Sequence, residues 1–561
     1  MKTISKIAQR KFILPLFLAA VTGLLATGCQ TYQAKNHTYK YWIKGDLTNA
    51  VVEATKAADT KTNTVDAIVF RLEHGAALRA NGQYEDSNRA FDQAQEKIDD
   101  FAQKSKVSIG RETAAMLSNQ ANLPYRGRAY DGIMLNTYMA LNYLQLGKPD
   151  KARPELIRAY QRQQDAVTDN QRRIEKAQSE MADQQPENRE IVEKAQNNLS
   201  LKAKLDASNS GLDNLKAYSD YVNPFTVYLD GLFFMANAAD ASDLERAHKS
   251  LERIVGFDPD NNYAKQDLAA VDDLINGKPL TPTTYVIFET GCAPIRNQIR
   301  IDIPTFWPQM PYLGAAFPTL KPQGNYLPSL TVTAQGVPVT TGNTTTTVSD
   351  TNTTVTSTTT TASDTNAVAS SMPTTVNDTN ATAINTPATT GSTSSTSTET
   401  KTTVTSTTTI TTNITATTRL VASMDSVVRQ DFKNELPIII TKTLLSTAIK
   451  ATATHFAWEA TRQKQKNGTL DNGGIPGMLV IMSCVIWQAA NNIADERTWM
   501  TLPKEFQVCR FSTPPDRKIV LETPDGTQKI PVTIGDGTIN LIYVKSITAT
   551  NPLLVTQMKL K

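Results

Sequence analysis

Hydrophobic and polar positions change their period along this chain. From about residue 37 to 275, apolar residues recur three and four apart, the spacing of one helix face, and predict an all-helical half. From about 276 the period drops to two. "TTYVIFETGCAPIRNQIRIDIP" predicts strands near 284–289 and 298–303, and "YLPSLTVTA" predicts another near 330–334. A helix follows from about Ser426, bent near Pro437. A further apolar stretch, "GMLVIMSCVIWQAA", is too short to span a bilayer and predicts a buried core helix. The C-terminus returns to strands in "KEFQVCRF", "KIVLET", "QKIPVTI", "TINLIYVKS" and "LLVTQMKL", with tight hairpin turns expected at Asp525-Gly526 and Asp536-Gly537. Runs of strands around helices predict an α+β domain.

Within the helical half, small and large residues recur at offsets that resemble a tetratricopeptide helix pair. The best copy is Gly75, Leu78, Gly82, Tyr84, Phe91 and Ala94. Gly75 admits a close helix approach, Gly82 and Tyr84 make and pack the turn, and Phe91 with Ala94 line the next groove. Partial copies are Gly45, Leu47, Ala50, Ala54 and Ala57, then Ala140, Tyr143, Gly147, Ala152, Leu156 and Ala159, then Ala247, Leu251 and Pro259. The expected architecture is a tetratricopeptide-like α-solenoid over 29–275. From about 161 to 218 the chain is polar with few apolar residues, and two long exposed helices projecting as an antiparallel arm are expected. Asp258, Asp260 and Asn262 begin a calcium-loop spacing, but Tyr263 replaces the glycine and Ala269 the glutamate, so calcium is excluded.

No aromatic occurs between Tyr326 and Phe432, and from about 336 to 418 the chain is mostly Thr with sparse large apolar residues. Such a segment buries too little surface to offset its ordering entropy and is expected to be disordered. The flanking "SLTVTA" and "TRLVAS" are expected to pair as a hairpin with the tract inserted at its tip, because loop closure costs only about 0.6 kcal/mol per doubling of length. The expected class is therefore multidomain α+β, with the C-terminal domain over 276–561 interrupted by this insertion.

The N-terminus carries a basic start, an apolar run over 12–25, and small residues leading into Cys29. This arrangement reads as a signal peptide over 1–28, and "ATGC" resembles the lipobox of bacterial lipoproteins, with Ala26 where Leu is commonest. The resemblance implies lipid attachment at Cys29 and a membrane anchor through its acyl chains, and Gln30 after the cysteine implies the outer membrane. Four of the 57 basic residues fall in the leader, leaving 53 against 54 acidic ones. No long basic run follows, so nucleic acid is excluded as a partner. Cys292, Cys484 and Cys509 lie among apolar neighbours and are expected to be buried thiols, one disulfide with a free thiol being the alternative.

Taken together, the chain resembles a functionally uncharacterised family of bacterial outer-membrane lipoproteins. The phrases carrying the resemblance are "YVIFETGCAPIRNQIRIDIP", "YLGAAFPTL", "MDSVVRQDFKNELPIIITKTL" and "ADERTWMTLPKEFQVCRF". The Thr-rich tract departs from that family, and the resemblance implies no activity.

The four histidines, His37, His74, His248 and His455, fall in no HExxH or GxSxG context, and no phosphate-binding glycine loop is present. No motif points to a metal or cofactor. Glu289, Arg296 and Arg300, with Asp495, Glu496 and Arg497, are the dense charged phrases of the C-terminal half. They are expected to lock strands to helices as buried ion pairs, a binding or catalytic cleft being the alternative. The expected function is a non-enzymatic, lipid-anchored scaffold binding another envelope protein in the solenoid groove. An enzyme of envelope polymers and a surface-exposed structural or adhesive protein are the alternatives.

Overall fold

Apolar faces at helical spacing fold the first half into Tyr32–Lys35 (α1), His37–Trp42 (α2), Leu47–Thr60 (α3), Ala67–Ala80 (α4), Tyr84–Val107 (α5), Ala129–Gln145 (α6), Pro149–Ala182 (α7), Pro186–Gln196 (α8), Leu199–Asn209 (α9), Pro224–Ala236 (α10), Ala241–Phe257 (α11) and Asn262–Ile275 (α12). The structure is a computed structural model that describes residues 32–107, 121, 123–210, 218, 221–302, 314–334, 338–348, 402–411, 414–466 and 492–561. One device ends four of the helices. Gly45, Gly82, Gly147 and Gly277 all take positive φ. Each glycine N–H reaches back three residues, as Gly82 N to Arg79 O at 3.1 Å, and the next N–H reaches back five, as Gln83 N to Leu78 O at 2.9 Å. That geometry satisfies the last carbonyls and turns the chain sharply.

The residues marked by the repeat pattern pack accordingly. A Cβ at Gly75 would come within 2.5 Å of the Phe91 ring, so only glycine lets α4 and α5 meet there. The Ser87 hydroxyl clamps the pair by donating to the Gly75 carbonyl at 2.7 Å. Ala94, Ala140, Ala152 and Ala247 are fully buried, and half-buried Tyr84 opens α5 after Gly82. Gly231 of α10 repeats the Gly75 device against Leu251 of α11.

The second half forms Thr283–Thr290 (β1), Ile295–Asp302 (β2), Gly314–Lys321 (β3), Thr331–Ala334 (β4), Pro338–Val348 (β5), Thr402–Thr411 (β6), Ile414–Thr417 (β7), Arg419–Ser423 (β8), the helix Met424–Lys466 (α13) with Pro437 inside it, and then Glu505–Ser512 (β9), Lys518–Glu522 (β10), Lys529–Thr533 (β11), Ile539–Ser546 (β12) and Leu554–Lys559 (β13). A five-stranded sheet has the order β13-β12-β1-β9-β8, and a four-stranded sheet the order β11-β10-β4-β7. β1 pairs parallel with β12 and antiparallel with β9. The fold is α+β, with helices over 32–275 followed by sheets. The chain divides into two compact units, Met1–Gln335 with Asn413–Lys561, and Gly336–Thr412. The second unit contains the antiparallel β5–β6 ribbon.

In the larger unit, alternation along β1 sorts residues between two cores. Tyr285 and Ile287 join Tyr138, Phe225, Trp499, Phe506 and Leu541 in a core shared by helices and sheet. Val286 and Phe288 join Leu330, Val332, Ile519 and Leu521 against the four-stranded sheet. The resulting order is helices, five-stranded sheet, four-stranded sheet. Phe225 of α10 stacks on Phe506 of β9 with ring centroids 3.8 Å apart. The inner faces of these helices thus pack against the chain's own sheet.

Three expectations are corrected. The segment from 161 to 218 does not project as a two-helix arm. It continues α7 and adds α8 and α9, whose Val192, Ala195, Leu201 and Leu205 are buried with Ile301, Phe317, Leu444 and Ala448. Its apolar residues are few, but Val192–Ala195 and Leu201–Leu205 are spaced three and four apart, which is enough for a narrow seam. Next, the strand paired with β4 is β7, inside the expected insertion, while "RLVAS" forms β8 of the other sheet. Thr418 makes the crossing: its N–H donates to the Leu330 carbonyl at 2.9 Å and its hydroxyl to Gln507 Oε1 at 2.8 Å. Finally, Asp536-Gly537 joins two sheets instead of closing a hairpin, and a Cβ at Gly537 would lie 2.8 Å from the Lys561 carbonyl. Cys292 and Cys509 are buried thiols without a disulfide. Cys29, Cys484, the stretch "GMLVIMSCVIWQAA" and residues 349–401 of the Thr-rich tract lie outside the described residues.

Candidate functional site

Of the charged residues marked in the sequence, Glu289, Arg296 and Arg497 are held in buried pairs, whereas Arg300 is exposed. Arg296 of β2, only 1% exposed, donates to Glu435 of α13 at 2.8 Å. Arg128, just before α6, also donates to Glu435, and Arg173 of α7 does so at 3.0 Å. A second Arg128 nitrogen reaches the Arg497 carbonyl at 3.2 Å. Arg497 itself grips Asp495 at 2.7 and 3.0 Å and Asp66 at 3.0 Å. Burial opposes ionisation of Glu435, but Arg128, Arg296 and Arg173 together hold its carboxyl far below the usual range. Asp431, one helical turn away, is pushed up to about 7 by burial and by the Glu435 charge. Arg300 donates to the Asn492 carbonyl at 3.3 Å, and Glu496 is buried, its carboxyl raised by burial.

Glu289 of β1 anchors a second network. It accepts from the Tyr138 hydroxyl of α6 at 2.9 Å, from the Tyr543 hydroxyl and from Lys545. Arg79 of α4 stacks over the Tyr138 and Tyr543 rings, 5.0 and 4.9 Å from their centroids. Burial works against the Glu289 charge, but Lys545 and Arg79 hold its carboxyl below the usual range.

Two further networks were not marked in the sequence. Asp267 of α12 accepts from Tyr228 at 2.8 Å and Tyr285 at 2.7 Å, beside Arg510, and burial lifts it to about 6. Glu73 of α4 accepts from Met500 N and the Thr501 hydroxyl, both at 2.7 Å, and from Asn36 at 3.0 Å; burial lifts it to about 7. A signal for them exists in hindsight. Glu73 in "AIVFRLEHGAAL", Asp267 in "KQDLAAV" and Glu435 in "VVRQDFKNELPIII" each stand on the apolar stripe of a helix, where an unpaired charge is untenable.

The histidines are dispersed. His74 is pushed down to about 4 by burial and contacts the Thr55 hydroxyl at 3.0 Å; His248 lies 3.2 Å from Asp272; His37 is exposed and His455 half-buried. Asp258 ends α11 and pairs with Arg419, and Asn261 caps α12, so the failed calcium loop is a helix-to-helix turn. Among the described residues no three His, Cys, Asp or Glu side chains converge as metal ligands. Two surface grooves of about 320 Å³ are lined by Gln196, Lys433, Leu436, Pro437, Ile440 and Thr441, and by Thr62, Arg71, Gln93, Glu96, Lys97 and Asp100. Neither includes the buried carboxylates above. What those carboxylates do chemically is hold helices to strands in one register. Compared with protein-family models, curated proteins and solved structures, the chain matches none.

Proposed function

We propose that this chain is a lipoprotein of the bacterial outer membrane, anchored at Cys29, and acts as a protein-interaction scaffold in the cell envelope. The observation carrying the scaffold reading is the use made of the polar residues. Of the charged residues that promised chemistry, Glu289, Arg296 and Arg497 are buried and paired with Lys545, Glu435 and Asp495, among helices ended by recurrent glycines. Because the inner helix faces meet the sheet, the surface offered to an envelope protein is the outer face of α7. Ile157, Tyr160 and Val167 stand there at 43%, 38% and 50% exposure, an apolar row on a helix otherwise rich in charge. The test is photocrosslinking in cells from positions 160 and 167, with an exposed position on α3 as control. A discrete adduct from α7 alone supports the scaffold reading, and no adduct from α7 contradicts it. The anchor is tested separately: wild type takes up palmitate and fractionates with outer membrane, and Cys29→Ser does neither.

A further inference from the structure

Tyr32, three positions after Cys29, is already locked into the body. Tyr32 is 7% exposed, its ring centroid 5.7 Å from that of Phe70, and its hydroxyl donates to Glu73 at 3.4 Å. Gln33 donates to the Arg296 carbonyl, and Asn36 both caps α2 and donates to Glu73 at 3.0 Å. Three residues of chain reach at most about 11 Å. A lipid on Cys29 would therefore lie within about that distance of Tyr32, and the residues around α1 and α2 would lie close to the headgroups.

Their chemistry suits that position. Lys35, His37, Lys40 and Lys44 are exposed, whereas Asn36, Thr38 and Trp42 are buried. His37 and Lys40 lie three apart on α2, away from the buried Thr38 and Trp42, and Lys44 follows in the turn after the helix. The first acidic residue after Cys29 is Asp46, and it is engaged in capping α3 through Asn49 N at 3.2 Å. We infer that the basic outer face of α1 and α2 rests on an anionic phospholipid surface and fixes the orientation of the body against the membrane. The inference rests on the lipid anchor proposed above. Charges within about a Debye length, roughly 8 Å at physiological salt, feel the surface potential, and each lysine there strengthens association about fivefold.

Two measurements test it. In the first, the full lipidated protein carries a fluorophore, introduced as an unnatural amino acid at His37, in phosphatidylethanolamine–phosphatidylglycerol vesicles with headgroup-labelled acceptor. Energy transfer should be strong, should persist when twenty Gly and Ser residues are inserted between Thr31 and Tyr32, and should fall several-fold when Lys35→Glu/Lys40→Glu/Lys44→Glu is added to the lengthened chain. Equal transfer in the lengthened chain with and without the three lysine substitutions, each protein shown to carry palmitate, overturns this inference alone. Absence of palmitate on the native chain overturns the anchor and this inference with it. In the second, the unlipidated mature chain with Cys29→Ser is floated with vesicles at low salt. It should prefer phosphatidylglycerol over phosphatidylcholine by at least about tenfold. The preference should vanish in Lys35→Glu/Lys40→Glu/Lys44→Glu and in 0.5 M salt. Indifference to lipid charge, or a triple variant that floats like wild type, means that the lysines face something other than lipid and overturns the proposal.

Discussion

The five-stranded sheet has one apolar face and one charged one, made by alternate residues of the same strands. Towards the four-stranded sheet it presents Val286, Phe288, Cys509, Phe511, Ile542 and Val544, an apolar contact in which shape alone has to match. Towards the helices it presents Tyr285, Glu289, Arg510, Tyr543 and Lys545, threaded through the larger apolar core. Apolar burial is strong but non-directional. A buried carboxylate tolerates few arrangements, because each alternative strands a charge. The sheet-to-sheet face thus supplies cohesion, and the sheet-to-helix face decides which helix meets which strand.

The largest effect is expected on the charged face. Glu289→Ala leaves Lys545 buried without its counter-charge and two tyrosine hydroxyls without an acceptor, and should destabilise by about 3–5 kcal/mol in urea unfolding. Phe288→Leu on the apolar face should cost only about 1 kcal/mol. Equal losses would show that the charges carry no special weight.

The helix-facing side of the sheet and its surroundings should also make stability depend on pH, through Asp267 beside Tyr285 and through Glu73 of α4 against Met500 and Thr501, while Glu289, held low, matters only in acid; the apolar face has nothing to titrate but the Cys509 thiol, pushed up to about 12 by burial. Burial lifts Glu73 from 4.5 to about 7 and Asp267 from 3.8 to about 6. The native state therefore holds those protons more tightly than the unfolded state. Their contribution is fully present below the ordinary carboxyl range and is lost as pH rises through about 6 to 7. Glu73→Gln should flatten that fall by up to about 3 kcal/mol between pH 4.5 and 8, read from urea midpoints. An unchanged slope would place the native titration of Glu73 near its ordinary value.

Helices are also placed by pure shape, and there the expected effect is smaller. Gly75→Ala drives a methyl into Phe91 and should cost about 1–3 kcal/mol, part of it recovered by adding Phe91→Leu. Additive losses would mean that the backbone, not the ring, yields. The smallest effect is expected from excision. Replacing residues 335–413 with Asn-Gly joins Ala334 to Ile414, which already face each other in the β4–β7 ladder, and should change stability by no more than about 1 kcal/mol. Loss of cooperative unfolding would show that the excised residues support the larger unit.

Sequence pattern reached the elements more readily than their partners. Strand positions near β1, β4 and β9–β13 were readable because alternation and turn residues are local. The assignment of "RLVAS" to the hairpin with β4 failed because the decision is taken at Thr418, a single residue hydrogen-bonded to Leu330 and Gln507, which no periodicity announces. The arm expected between 161 and 218 is not formed because its sparse apolar residues, Val192, Ala195, Leu201 and Leu205 among them, meet a surface on β2, β3 and α13 that lies far away in the sequence. In the buried networks Glu289, Arg296 and Arg497 were visible as charges beside strands. Glu73, Asp267 and Glu435 were hidden among helix formers, where a carboxylate is ordinary unless its face of the helix is considered.

The position of β1 sets an order on events as the chain is made. Both of its neighbours in the sheet, β9 and β12, lie near the far end of the sequence. Until they emerge, β1 has no edge to join, and Phe225 waits for the Phe506 ring it will stack on. The helical half therefore precedes the strands that cover its inner face, and that face stays bare until β9 and β12 are in place. Pairing across so much chain is slow, and the bare face is open to aggregation during the delay. A chain that lacks β9 and β12 thus leaves both edges of β1 and the Phe225 ring without their partners.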